Sequence, residues 1–137
     1  MAPGEVVVAR TVMVVDDSPD DVEITRCLLE EIEPGLPFLA AASGSEALAA
    51  LHGEAELPGL ILVDLKMPGM EGAEMVRQLR NDDRLRLIPA ILVSHSRLES
   101  DRARCLAAGA DEFLHKDFDL GRMTATLRGV LDRWLPH

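Results

Sequence analysis

The chain is poor in positive charge, in cysteine and in long apolar runs. Its 14 lysines and arginines stand against 24 acidic residues, a formal charge of −10, which argues against a broad surface for nucleic acid or for an anionic membrane. Residues 1–10 carry one basic residue, Arg10, and only the short apolar run Val6-Val7-Val8-Ala9. That is the pattern of neither a signal peptide nor a membrane span, and a cytoplasmic location is the resulting expectation. The two cysteines, Cys27 and Cys105, lack metal-binding spacing and fall in predicted helices, so reduced, half-buried thiols are expected. Repeats, low-complexity stretches and linkers are absent too. What remains is 137 residues, 47% of them apolar: one globular domain with a real core and no room for a second module of typical size.

The apolar residues fall into short runs alternating with helical stripes. Thr11–Val15, Phe38–Ala42, Leu60–Val63, Leu87–Val93 and Glu112–His115 read as strands. Between and after them lie five helical patterns. The first opens at Ser18-Pro19, with Asp20, Asp21 and Glu23 near its positive end, and stops at Pro34-Gly35. The last sets Leu120, Met123, Leu127, Val130, Leu131 and Trp134 at helical spacing. Alternation with short connections predicts an α/β fold: a doubly wound (βα)5 parallel sheet of flavodoxin-like strand order 2-1-3-4-5. Residues 1–10 are expected to be an N-terminal extension and residues 11–137 the domain.

In that topology the carboxyl ends of the first and third strands form the crevice where ligands bind. Those ends carry Asp16, Asp17 and Asp64. Three carboxylates held together repel one another unless one is protonated or a cation sits among them, and an oxygen-rich, incomplete shell of this kind suits magnesium. The remaining strand ends bring Ser94, a hydroxyl donor, and Lys116, a fixed positive charge. Metal, lysine, serine and a nucleophilic carboxylate suit a transferred phosphoryl group. Each residue alone also has a plain reading, as a helix cap or a solvated side chain. Taken together, the plain readings leave the order Asp-Asp, Asp, Ser, Lys at four separate strand ends unexplained.

The segments Val14-Val15-Asp16-Asp17-Ser18, Val63-Asp64-Leu65-Lys66-Met67-Pro68-Gly69-Met70-Glu71-Gly72, Pro89–Ser94 and Ala108–Lys116 resemble the receiver domain of bacterial two-component response regulators. The resemblance covers residues 11 to 134 and is closest to the single-domain, chemotaxis-regulator type. It implies that Asp64 accepts a phosphoryl group from a sensor histidine kinase. It further implies that Mg2+ is bound by Asp17, Asp64 and the carbonyl of Lys66, with Asp16 acting through water. Ser94 and Lys116 would contact the phosphoryl group, and Phe113 would move inward behind the serine. Such a chain catalyses its own phosphorylation and dephosphorylation, as a signalling protein rather than a turnover enzyme. It acts through a partner: a histidine phosphotransfer protein or a docking target. A homodimer through the fourth helix, fifth strand and fifth helix is compatible with the family. The Asp-Asp-Ser-Pro-Asp-Asp opening and the tryptophan-bearing last helix look somewhat like the small regulators that partner bacterial phytochromes.

The sequence departs from the family at three places. Asp117 follows Lys116 where a proline behind a cis bond is usual, which implies either a trans bond with a re-aimed lysine or a costly cis one. Lys66 puts a long cation near Asp64, where it could hold a phosphate or obstruct water. His95, next to Ser94, could narrow access. The alternative for both is that they point into solvent. Trp134 is expected in the core rather than as a dimer anchor. The rival reading is a receiver-like interaction module that works without phosphorylation. A flavin binder is disfavoured, because a flavin's phosphate wants donors and not aspartates.

Overall fold

Asp64 ends a central strand of a five-stranded parallel sheet. In the computed structural model, which describes residues 7–53 and 56–135, the elements run β1 (Val7–Val15), α1 (Pro19–Ile32), β2 (Phe38–Ala41), α2 (Gly44–Gly53) and β3 (Glu56–Asp64), then α3 (Gly72–Arg80), β4 (Ala90–Ser94), α4 (Glu99–Ala108), β5 (Glu112–His115) and α5 (Leu120–Trp134). All neighbouring strands are parallel and the order is β2-β1-β3-β4-β5, the doubly wound arrangement expected. No helix among the described residues is long and apolar enough to cross a membrane.

The pleat explains how both faces are covered. Successive strand side chains point to opposite faces. Ile61 and Val63 accordingly join Met13, Val15, Leu92, Met75 and Cys105 in one apolar cluster, while Leu60 and Leu62 join Val12, Val14, Leu28, Met123 and Leu127 in the other. Leu60, Ile61 and Val63 have no exposed surface at all. Each such side chain contributes ~1.5–3 kcal/mol of burial, so the strand carrying Asp64 is among the best anchored parts of the molecule.

The helix boundaries follow local chemistry. Ser18 caps α1, its hydroxyl accepting from the Asp21 N–H at 3.3 Å, with Pro19 in the first turn. Ser43 accepts from Glu46 N–H while the Glu46 carboxylate accepts from Ala42 N–H, a reciprocal cap for α2. Gly109 closes α4 at φ +111°, a left-handed conformation that suits glycine. Trp134 packs against the apolar cluster on the α1–α5 side and donates its indole N–H to Glu112.

Four sequence expectations need correction. β1 starts at Val7 and not at Thr11, so residues 7–10 pair in the sheet; residues 1–6 lie outside the described residues. β3 likewise starts at Glu56, four residues ahead of Leu60. The two additions pair with each other, Val7 with Glu56 and Ala9 with Pro58, across an irregularity before Val12. Arg10 and Thr11 interrupt the apolar run there, which hides the strand in the sequence. β4 begins at Ala90: Leu87 is 80% exposed, and Pro89 offers only its carbonyl, which accepts from Ile61 N–H. Cys27 is exposed rather than half-buried, whereas Cys105 is buried, and neither forms a disulfide.

Candidate functional site

β1 and β3 lie side by side with Val15 opposite Val63, so the residues that follow, Asp16 and Asp17, arrive beside Asp64. One carboxylate oxygen from each lies within 4.8 Å of the others; Asp16 is buried, Asp17 exposed and Asp64 between. The Asp16 carboxylate also accepts from Ser18 N–H at 3.0 Å, which fixes its orientation. Lys116, just past β5, crosses the sheet edge and brings its Nζ to 2.8 Å from Asp16, 3.0 Å from Asp21 and 3.2 Å from Asp64.

These contacts set the charge states. Burial pushes the Asp64 carboxyl up to about 6; Lys116 pulls it down, but the neighbouring Asp16 and Asp17 charges push the same way as burial. Burial acts to lower the Lys116 ammonium value, yet Asp16, Asp64 and Asp21 together outweigh it, and the net shift is upward. Lys116 is therefore a fixed cation, whereas Asp64 titrates just below neutrality. Oxygen donors from three carboxylates, one of them reluctant to ionise, fit a hard divalent cation such as magnesium.

The other residues singled out from sequence fall around this cluster. Ser94 is 1% exposed at the end of β4 and its hydroxyl accepts from Ser96 N–H at 3.0 Å. Phe113, half-buried in β5, packs against the α2–α3–α4 side of the core. Lys66 is exposed, and its ammonium lies 3.7 Å from Asp101 on α4. His95 is exposed too, with its ring stacked on Phe118 at a centroid distance of 4.6 Å.

The Lys116–Asp117 bond is trans, since no cis peptide occurs among the described residues, and Lys116 nonetheless reaches Asp64. The turn is held by Asp117 itself. Its carboxylate accepts from Asp119 N–H and from Arg122 Nε, each at 2.8 Å, and Arg122 first and that N–H second hold it down to about 2. Asp119 then caps α5 by accepting from Arg122 N–H at 2.9 Å.

Three residues in or around the site escape a reading from sequence. Asp21 reads as a first-turn helix acid, yet it shares Lys116 with Asp16. Asp101 is a buried carboxylate on a helix whose composition reads as surface. Phe118, 85% exposed, helps to line a cavity of about 140 Å3 between α1 and α5 that opens beside Asp64 and Lys116, with Ile24, Leu120 and Met123. An isolated aromatic after the Lys-Asp pair is the one sequence signal that could have drawn attention to it.

Known proteins resemble this chain in sequence and fold. A family model described as the response regulator receiver domain matches residues 12–128. Protein PilH of Pseudomonas aeruginosa is 32% identical over 120 residues, which are 88% of this chain and 96% of that protein. The structure of the phosphorylated cyanobacterial phytochrome response regulator RcpA is similar with a TM-score of 0.83 at 25% identity, over 93% of this chain and 95% of its own. The receiver domain of sensor histidine kinase PA1611 from Pseudomonas aeruginosa PAO1, with a magnesium ion coordinated in its active site cleft, matches with a TM-score of 0.78 at 25% identity, over 95% and 100% of the two chains. Five parallel strands in the order 2-1-3-4-5 and an aspartate cluster at their carboxyl edge agree with the family match over nearly the whole chain: this protein belongs to the response regulator receiver domains.

Proposed function

We propose that this chain is a response regulator whose Asp64 accepts a phosphoryl group from a sensor histidine kinase. The observation that carries the reading is the Asp64 carboxylate at the end of β3, with one oxygen within 4.8 Å of oxygens of Asp16 and Asp17 and the Lys116 Nζ at 3.2 Å. In the transfer, an Asp64 oxygen forms a bond to phosphorus as the bond from phosphorus to the donor's imidazole nitrogen breaks, and the electron pair stays on that nitrogen.

The chain's own groups divide the work. At neutral pH Asp64 is mostly ionised and can act as the nucleophile. Lys116, cationic at any ordinary pH, pairs with the phosphoryl oxygens as they arrive. Ser94 gives up its bond with Ser96 N–H and donates its hydroxyl to the same group, and Phe113 follows inward behind it. Asp16, Asp17, Asp64 and the Lys66 carbonyl would hold Mg2+. When bound, the ion neutralises phosphoryl oxygens and the acidic cluster. A phosphoryl group adds about −1.5 to −2 charges, so contacts that exist only in the modified state bias a two-state surface.

That surface is α4, β5 and α5, where a target, a histidine phosphotransfer protein or a second copy would dock. His95, stacked on Phe118 at the mouth of the cavity, is proposed to restrict access to Asp64. The likeness to RcpA supports a phytochrome-type kinase as the partner. The exposed free thiol of Cys27 supports a reducing, cytoplasmic setting.

Incubation with acetyl phosphate and magnesium tests the reading by intact mass. The gain of one phosphoryl group, lost in Asp64→Asn, is the expected result. No gain, or a gain that survives Asp64→Asn, favours an interaction module that works without phosphorylation.

A further inference from the structure

Asp16, Ser94 and Asp101 are the buried polar side chains among the described residues. The first two belong to the site just described; Asp101, 7% exposed in the first turn of α4, does not. Its Oδ2 accepts the Ser96 hydroxyl at 2.6 Å and its Oδ1 accepts from Arg104 at 3.2 Å. The Lys66 ammonium stands 3.7 Å from the same carboxylate. Arg104 reaches on to Glu71 ahead of α3, and Ser96 N–H donates to Ser94. The Ser96 hydroxyl, then Arg104, hold the Asp101 carboxyl below its ordinary range. One ionised carboxylate on α4 thus gathers the loop after β3, the loop after β4 and the first turns of α4.

The members of this cluster are not held equally. Asp101 is enclosed, whereas the Lys66 side chain is 57% exposed. An ion pair with one exposed partner is weak and readily exchanged. Lys66 lies two residues past Asp64. An acyl phosphate there would offer the ammonium a second anion, of roughly −1.5 to −2 charges. The two anions compete for one cation.

We infer that Asp101 is a positioning residue that parks the Lys66 ammonium against α4 and thereby sets the lifetime of the acyl phosphate on Asp64. The inference rests on the reading of Asp64 as phosphoacceptor. In hydrolysis a water oxygen forms a new bond to phosphorus, and the phosphorus bond to the Asp64 oxygen breaks with its electron pair returning to the carboxylate. The water's proton passes to solvent. An ammonium lying over the phosphoryl oxygens stabilises the dianion and crowds the approach of that water. Holding Lys66 on Asp101 keeps the approach open and the signal short.

The test is a double-mutant cycle on the full chain, loaded with acetyl phosphate and magnesium and then chased, with lifetimes read by intact mass and folding checked by thermal melting. Asp101→Asn should lengthen the lifetime by roughly two- to fivefold, the rate equivalent of an exposed charge pair. Asp101→Ser provides the same test if the asparagine variant does not fold. Asp101→Glu, which keeps the charge, should stay close to wild type. In a Lys66→Met background, Asp101→Asn should lose its effect. An unchanged lifetime in the folded neutral variants overturns the inference, and so does an equal lengthening with Lys66 absent. If wild type itself gains no phosphoryl group, the phosphoacceptor reading falls and the inference with it.

Discussion

Asp64 is an acid that folding makes weaker. Its carboxyl rises from an ordinary 3.8 to about 6, chiefly through burial. Below the lower value both folded and unfolded chains are protonated there, and the group is neutral toward stability. Between the two values the folded chain holds the proton more firmly, so stability falls as pH rises; above about 6 the full cost of the buried charge is present. Asp64→Asn should therefore stabilise the metal-free protein at pH 7.5 by about 3 kcal/mol, the free-energy equivalent of that rise. The gain should vanish near pH 4. Thermal melting of the two proteins across that range checks the sign. Magnesium must displace the same proton, so its affinity should drop about tenfold per pH unit below 6, as calorimetric titration would show. Lys116→Ala should move that midpoint to higher pH, because Lys116 is the group that pulls the Asp64 value down.

At the scale of elements, the site depends on how closely α3 can approach the end of β3. Gly72 opens α3, and its N–H donates to the Leu65 carbonyl at 3.0 Å. A Cβ built there would lie 2.4 Å from the Asp64 carbonyl oxygen and 2.8 Å from a Leu92 methyl. Gly72→Ala should cost about 1–3 kcal/mol of stability and shift the strand end that presents Asp64, so melting temperature and phosphoryl acceptance should fall together. What the sequence makes legible divides along physical lines. Apolar runs ending in Asp16-Asp17, Asp64 and Ser94 are legible because buried parallel strands carry continuous apolar residues and their ends are punctuated by polar ones, whereas the edge strand before Lys116, Glu112–His115, is only half apolar and half-buried. The early parts of β1 and β3 are not, because Arg10, Thr11 and Pro58 break the pattern where only two strands pair. Asp21 and Asp101 are hidden for another reason. A helix acid looks the same in sequence whether it faces water or, as here, a lysine arriving from a distant strand end.

At the scale of the whole molecule, a fixed sheet edge carries the acids and the lysine, and the loops after β3, β4 and β5 surround it. The loop after β5 holds its shape without a proline: Asp117 clasps Arg122 and the Asp119 N–H, while Phe118 stacks on His95 across the cavity mouth. Whether this edge takes a phosphoryl group at one atom decides how the molecule signals. The most direct measurement is intact and peptide mass spectrometry of the full chain after incubation with acetyl phosphate and magnesium, alongside Asp64→Asn and a metal-chelated control. One phosphoryl group is expected, located on Asp64, absent from the variant and absent without the metal. An unmodified wild-type chain, or a phosphoryl group that remains in Asp64→Asn, would contradict it.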